Sequence, residues 1–215
     1  MGSQNKLCNS TAATHYQIGS DVIPAVDSVT DLGITIDGSL KFSQHISNII
    51  VKASARCHLI LKCFLSKDTN TLMKVFKTYV RPLLEYNSSV WSPHLLRDIN
   101  SIERVQRRFT KRLWGMHGLG HDERLARLQL GRLEARRIRI DIINAYKIIF
   151  GSTIISRNNF FTLSACSIKT RGHDYKLISP SCNCDTRLFC YTSRVVPGWN
   201  NIPSDTTKFT MLPRF

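Results

Sequence analysis

The amino-acid sequence predicts a mainly helical, α+β chain: a small N-terminal β-hairpin/strand element, then a helical bundle, then a loosely structured C-terminal extension. Three observations lead there. Strict apolar/polar alternation is confined to the first fifth of the chain. From Ser43 onward, apolar residues recur at spacings of three and four. After Gly151 neither period persists. The expected units are residues 1–42, 43–150 and 151–215.

Each element has a local cause. Tyr16-Gln17-Ile18 and Val22-Ile23 flank Gly19-Ser20-Asp21, a turn cluster that joins a short hairpin. Residues 26–36 continue as strand, with Leu32, Ile34 and Ile36 alternating, and Asp37-Gly38 ends it. Ser43 is placed as the N-cap of a helix that sets Ile46, Ile49, Ile50, Ala53, Cys57, Ile60, Leu61 and Phe64 on one face. A second helix, capped by Asp68 or Thr69, carries Leu72, Val75, Phe76, Tyr79 and Val80 as far as Pro82, which breaks or kinks it. Leu83, Leu84, Tyr86 and Trp91 add apolar bulk. Past the glycine-containing connector 115–120 come a short helix, 122–130, and a long one, 133–150. The long one turns Leu133, Ile140, Ile143 and Tyr146 inward and Arg132, Arg136, Arg137, Arg139 and Lys147 outward.

The chain is organised around residues 97–114, RDINSIERVQRRFTKRLW. Ile99, Ile102, Val105, Phe109 and Leu113 form one helical stripe, between Pro93 and Gly115 as stops. Arg97, Arg104, Arg107, Arg108, Lys111 and Arg112 fall off that stripe, with only Asp98 and Glu103 to oppose them. A solvated helix face ordinarily mixes signs; a one-sided face is the footprint of a phosphate-binding surface. Arg136, Arg137 and Arg139 extend that face if the two helices pack side by side.

Composition points the same way. With 42% hydrophobic residues in 215, the chain can bury a sizeable core, and 30 Lys+Arg against 15 Asp+Glu leave a net charge of +15. That imbalance favours a polyanion, and nucleic acid over an anionic membrane, since the basic helices lack an insertion face beyond what a core uses. No apolar run approaches the roughly 18–20 residues that span a bilayer. The first thirty residues have no apolar h-region, and Lys6 stands where a myristoylation motif needs Ser or Thr. The 7 cysteines follow no framework spacing, and Cys57 and Cys63 read as small buried hydrophobes. An intracellular protein, cytoplasmic or nuclear, is expected.

Other constellations are weaker. Cys182, Cys184 and Cys190 near His173 match no common zinc spacing, so thiols in a loop are favoured over a metal. His117 and His121 read as polar residues of a loop, and Ser43 or Ser66 with His45 or His58 forms no triad. Trp91, Trp114 and Trp199 are assigned to core or edge packing rather than to base stacking. No catalytic residue, cofactor or metal site is assigned.

Five blocks in register, from about Tyr16 to about Pro203, resemble the non-LTR (LINE-type, jockey-like) retrotransposon reverse transcriptases. They are Asp31-Leu32-Gly33-Ile34-Thr35-Ile36-Asp37 with Leu40-Lys41-Phe42 and His45-Ile46; Val80-Arg81-Pro82-Leu83-Leu84-Glu85-Tyr86 with Val90-Trp91-Ser92-Pro93; Ile102-Glu103-Arg104-Val105-Gln106-Arg107-Arg108-Phe109-Thr110-Lys111; Arg137-Ile138-Arg139 with Tyr146-Lys147; and Thr170-Arg171-Gly172-His173 with Arg194-Val195-Val196-Pro197-Gly198-Trp199-Asn200. The resemblance implies the region downstream of the catalytic palm: residues 1–42 at the palm edge, 43–150 as a thumb, and 151–215 as a C-terminal extension.

In that family the thumb holds the RNA/DNA template–primer duplex by its backbone, which agrees with the phosphate-binding reading of the basic helix. The family's (Phe/Tyr)-Ala-Asp-Asp motif, needed for two-metal catalysis, has no counterpart here, so the chain alone is not expected to polymerise. A reverse transcriptase palm is a further expected partner. The alternatives are a domesticated helical protein-interaction module and a truncated element product without function.

Overall fold

In a computed structural model, residues 16–164 and 173–203 are described. The chain is mainly helical, with two small antiparallel hairpins at its N-terminal end. Cys8, Cys166 and the Thr170-Arg171-Gly172 segment lie outside the described residues.

Strands β1 (Tyr16–Ile18) and β2 (Asp21–Ile23) pair around Gly19, whose φ of 64° suits a tight turn. The second hairpin joins β3 (Ser28–Asp31) to β4 (Ile34–Asp37). Here the structure corrects the expected strand over 32–36. Leu32 (φ 46°) and Gly33 (φ 81°) are the two turn residues, so Leu32 is exposed, whereas Ile34 is buried in the core and Ile36 packs against it. Two consecutive positive φ values give the turn a twist that matches the strands it connects.

Helix α1 (Ser43–Cys63) carries the stripe expected of it: Ile46, Ile49, Ala53, Cys57 and Ile60 are buried. Its N-cap is Phe42 rather than Ser43. The Ser43 hydroxyl instead donates to Asp98 Oδ2 at 2.9 Å, tying the start of α1 to a residue 55 positions away. Cys63 is exposed, contrary to expectation, whereas Cys57 is buried and its thiol pKa is pushed up to about 12 by desolvation. Asp68 caps α2 (Thr69–Val75), accepting from the Asn70 and Thr71 N–H groups. The helix then widens into a π turn, Phe76–Val80, before α3 (Arg81–Glu85), with Pro82 in its first turn. Pro82 therefore ends one helical segment and opens the next, where its missing N–H costs little.

After the short α4 (Ser88–Trp91) comes α5 (Leu96–Lys111), which packs on α1. Then follow α6 (His121–Arg127) and α7 (Leu133–Ile149). The main core is built from α1–α5, with Trp91, Phe76 and Phe109 among its largest side chains and the Phe76 and Phe109 rings stacked at 4.7 Å. A second core grows on the far half of α7, where Ala145, Tyr146 and Ile149 meet Phe161, Leu177, Val195, Val196 and Trp199.

The described residues from 151 to 190 hold little regular structure beyond α8 (Asp185–Leu188), as the loss of periodicity implies. Tyr191–Asn200, however, closes into a helix, α9, because Val195, Val196 and Trp199 find α7 to pack on. Trp199 is fully buried, and its indole N–H donates to Tyr175 O at 2.7 Å.

His45 anchors the second hairpin to α1. Its Nδ1 accepts the Thr35 N–H at 3.3 Å, and its ring meets Trp91 edge-on at 5.2 Å. Burial, helped by Lys52, holds its pKa below the ordinary histidine value. The unfolded chain therefore binds the proton more readily, and this contribution is complete above the unfolded pKa of about 6.5 and lost as pH falls. The Thr35 amide, corrected for intrinsic rate, should lose hydrogen-exchange protection as pH falls below about 6.5. Protection of Thr35 that does not change with pH would show that His45 does not hold the hairpin.

Candidate nucleic-acid interface

Helix α5 separates its residues by sign. Ile102, Val105 and Phe109 enter the core, and Arg104, Arg107, Arg108 and Lys111 are exposed, as is Arg112 just past the helix end. At 100° per residue these five side chains fall within an arc of about 140°. Among the described residues none of the five is ion-paired.

The two acids expected to oppose them are not on that face. Asp98 is buried, accepting from Ser43 and, at 3.3 Å, from the otherwise exposed Arg97. Glu103 is buried too, accepting from Gln106 Nε2 at 3.0 Å, His121 Nε2 at 2.9 Å and the Leu133 N–H at 2.8 Å. The exposed face is thus more one-sided than the sequence count implies. Gln106 Nε2 also donates to Gly131 O, and the Thr110 hydroxyl accepts from Arg124 Nε at 3.3 Å. In the block Ile102–Lys111, Glu103, Gln106 and Thr110 hold the fold, and the arginines between them are left to solvent.

Three further basic positions separate. Arg139 is exposed. Arg136 is committed to Glu85, with Nη2 donating to Oε2 at 3.0 Å and Nε to Oε1. Arg137 is only 2% exposed, and burial lowers its pKa against the pull of Glu134, Glu103, Glu85 and Asp141. Arg137 therefore leaves the interface, and Arg136 is drawn into a bidentate pair that fastens α3 to α7. The residue spacing put both outward; Glu85 of α3 draws Arg136 in, and Arg137 is buried among Glu134 and Asp141 of its own helix and Glu103 and Glu85 of others.

The basic face borders a groove between the C-terminal ends of α1 and α5, about 1500 Å³ in volume. Lys62, Lys67, Arg108, Lys111 and Arg112 line it, together with Leu61, Phe64, Leu65 and Trp114. Among the described residues no Asp or Glu lines it. Trp114 corrects the packing assignment made from sequence: it is 75% exposed, because α5 ends at Lys111 and the chain turns through Gly115 (φ 71°), sending Leu113 inward. Lys67 Nζ sits 5.9 Å from the centre of its ring. Lys62, Lys67 and Trp114 join the candidate interface here and were not singled out for it from the sequence. Lys62 and Lys67 lie in a different segment from the basic run, and only the packing of α1 on α5 brings them to it.

At the other end of the chain, His173 Nε2 lies 2.9 Å from Trp199 O, turned into the second core. Cys182 and Cys190 each place Sγ 3.5 Å from the Ser193 hydroxyl. Among the described residues no group of three His, Cys, Asp or Glu is placed to hold a metal ion, and no helix is long and apolar enough to cross a membrane. His121, read as a loop residue, opens α6 as a half-buried partner of Glu103.

No family model matches the chain, and no solved structure matches it. The chain is similar to the uncharacterized protein B0403.1 of Caenorhabditis elegans, with 28% identity over 123 residues. The match covers 56% of this chain and 62% of that protein, less than two thirds of the relative's length.

Proposed function

We propose that this chain binds nucleic acid through the phosphate backbone, as the thumb and C-terminal part of a non-LTR retrotransposon reverse transcriptase. The observation that carries the reading is the unpaired, one-sided face of Arg104, Arg107, Arg108, Lys111 and Arg112 on α5. Asp98 and Glu103 are turned inward, and the exposed carboxylate that Arg107 feels, Asp122, is itself paired with Arg132, so among the described residues the face keeps a strong excess of positive charge. Guanidinium groups on a rigid helix suit phosphate oxygens and carry little sequence information. The template–primer duplex is the ligand this reading names, bound weakly and without sequence preference.

The same reading gives the chain no polymerase step of its own, since the family's Asp-Asp motif has no counterpart in the sequence. The N-terminal hairpins support a palm as protein partner. Tyr16, Ile18, Val22, Val29 and Leu32 are all more than half exposed there, an apolar surface of the kind that docks.

Binding of the purified chain to a labelled blunt RNA/DNA hybrid across a salt series tests the proposal. The expected result is a linear fall of log affinity with log salt. Replacing Arg104, Arg107, Arg108 and Lys111 together by Ala should reduce that slope by about 3.6 and weaken all sequences equally. An unchanged slope in the quadruple variant would exclude α5 as the contact surface. An acidic peptide that outcompetes the hybrid at equal salt would favour a protein-interaction module instead.

A further inference from the structure

The groove beside α5 has a character that a duplex backbone does not need. Phosphates ask for cations, and the exposed face of α5 supplies those. The groove adds an apolar floor from Leu61 and Phe64, with Leu65 94% exposed and the Trp114 indole 75% exposed at its edge. Large apolar surface left in water beside five cations, with no carboxylate among the described residues of the lining, fits a ligand that is anionic and carries flat apolar faces. Bases inside a duplex are stacked on one another and cannot offer those faces; unpaired bases can. Lys67, over the Trp114 ring at 5.9 Å, adds a cation where the phosphate of a stacked nucleotide would pass.

We propose that this groove binds unpaired nucleotides of a single-stranded nucleic acid, with Trp114 as the stacking platform and Lys62, Lys67 and Arg112 on the backbone. The inference rests on the nucleic-acid reading above and deepens it. Arg108 and Lys111 belong both to the α5 face and to the groove, so a duplex on α5 runs directly into a single strand in the groove. The chain then recognises the junction between paired and unpaired strand, by shape and charge rather than by sequence. An amphipathic acidic peptide is the rival occupant, since it too pairs anionic with apolar groups.

The experiment compares the full chain's affinity for a blunt RNA/DNA hybrid and for the same hybrid carrying about ten unpaired thymidines. At equal salt the overhang should tighten binding about tenfold. Trp114→Ala should abolish that gain while leaving blunt-hybrid affinity within about twofold, and Trp114→Phe should restore most of it. The exposure of Trp114 makes the substitution harmless to the core, which circular dichroism checks. Equal affinities for the two hybrids would overturn the proposal and leave the α5 reading intact. So would an equal loss for both in Trp114→Ala, or an acidic amphipathic peptide that displaces the overhang hybrid but not the blunt one. No binding to either hybrid at low salt would overturn the parent reading as well.

Discussion

Glu103→Ala is expected to destabilise the protein by about 3 kcal/mol, the scale for leaving buried donors without their charged acceptor. The Glu103 carboxylate is closed off from water and accepts from three donors. Two belong to other segments: the His121 ring N–H, 18 positions on, and the Leu133 N–H, 30 positions on. The third, Gln106 Nε2, spans the same site to Gly131 O. Deleting the carboxylate leaves these donors without their acceptor in a largely buried site, and the start of α7 loses the acceptor for its first N–H. Glu103→Gln keeps one acceptor oxygen but sets an NH₂ group against a donor, so it should fall between wild type and alanine. Urea midpoints measure the series, with Arg104→Ala as an exposed neighbour that should stay within about 0.5 kcal/mol. A Glu103→Ala midpoint equal to wild type would show that the helices α5, α6 and α7 are held by apolar packing alone.

Asp141→Ala should have a comparable effect, about 3 kcal/mol, but a different reach. Asp141 is buried on α7 and accepts from Arg194 Nε at 3.1 Å and from the Ser89 hydroxyl at 2.8 Å. Arg194 also donates to Ser89 O at 2.6 Å and Phe189 O at 3.2 Å, so one guanidinium joins α4, α7 and the start of α9. Without its counter-charge that guanidinium remains among neutral carbonyls, and the favourable course is for α9 to lift away. The loss is therefore expected to be local: Trp199 fluorescence shifts to the red and trypsin cuts at Arg187 sooner, while the α1–α5 core keeps its protection. Asp141→Asn, which keeps an acceptor for Ser89, should show part of the effect. If Asp141→Ala raised proteolysis throughout the chain instead, the two cores would be one cooperative unit.

Much of the fold was legible because its causes are local. The stripe from Ile46 to Ile60, the Asp68 cap and the Gly19 turn each follow from residues within a few positions of one another. Leu32 escaped that logic because alternation cannot distinguish a strand residue from one in a two-residue turn. Helix α9 escaped it because a ten-residue segment containing Pro197 is helical only when α7 supplies the surface for Val195, Val196 and Trp199. In the candidate site, the run Arg104–Arg112 was readable from sequence, whereas Trp114 lay past the helix end, where the period no longer assigns a side.

The sequence by itself determined the helical class, the place of the β element and the sign of the α5 face, because spacing and charge along one segment decide these. Only the tertiary structure decided which polar residues turn inward. Asp98 and Glu103 are buried because Ser43, His121 and Leu133 converge on them from other helices, and Arg137 because Glu103 and Glu85 from other helices join Glu134 and Asp141 of its own. A charged group enters a core when such partners offset its lost hydration, and partners separated by 18 to 55 positions meet only in the folded chain. The groove has the same origin: Lys62 and Lys67 join Arg108, Lys111 and Trp114 because α1 packs on α5, and no linear spacing encodes that meeting.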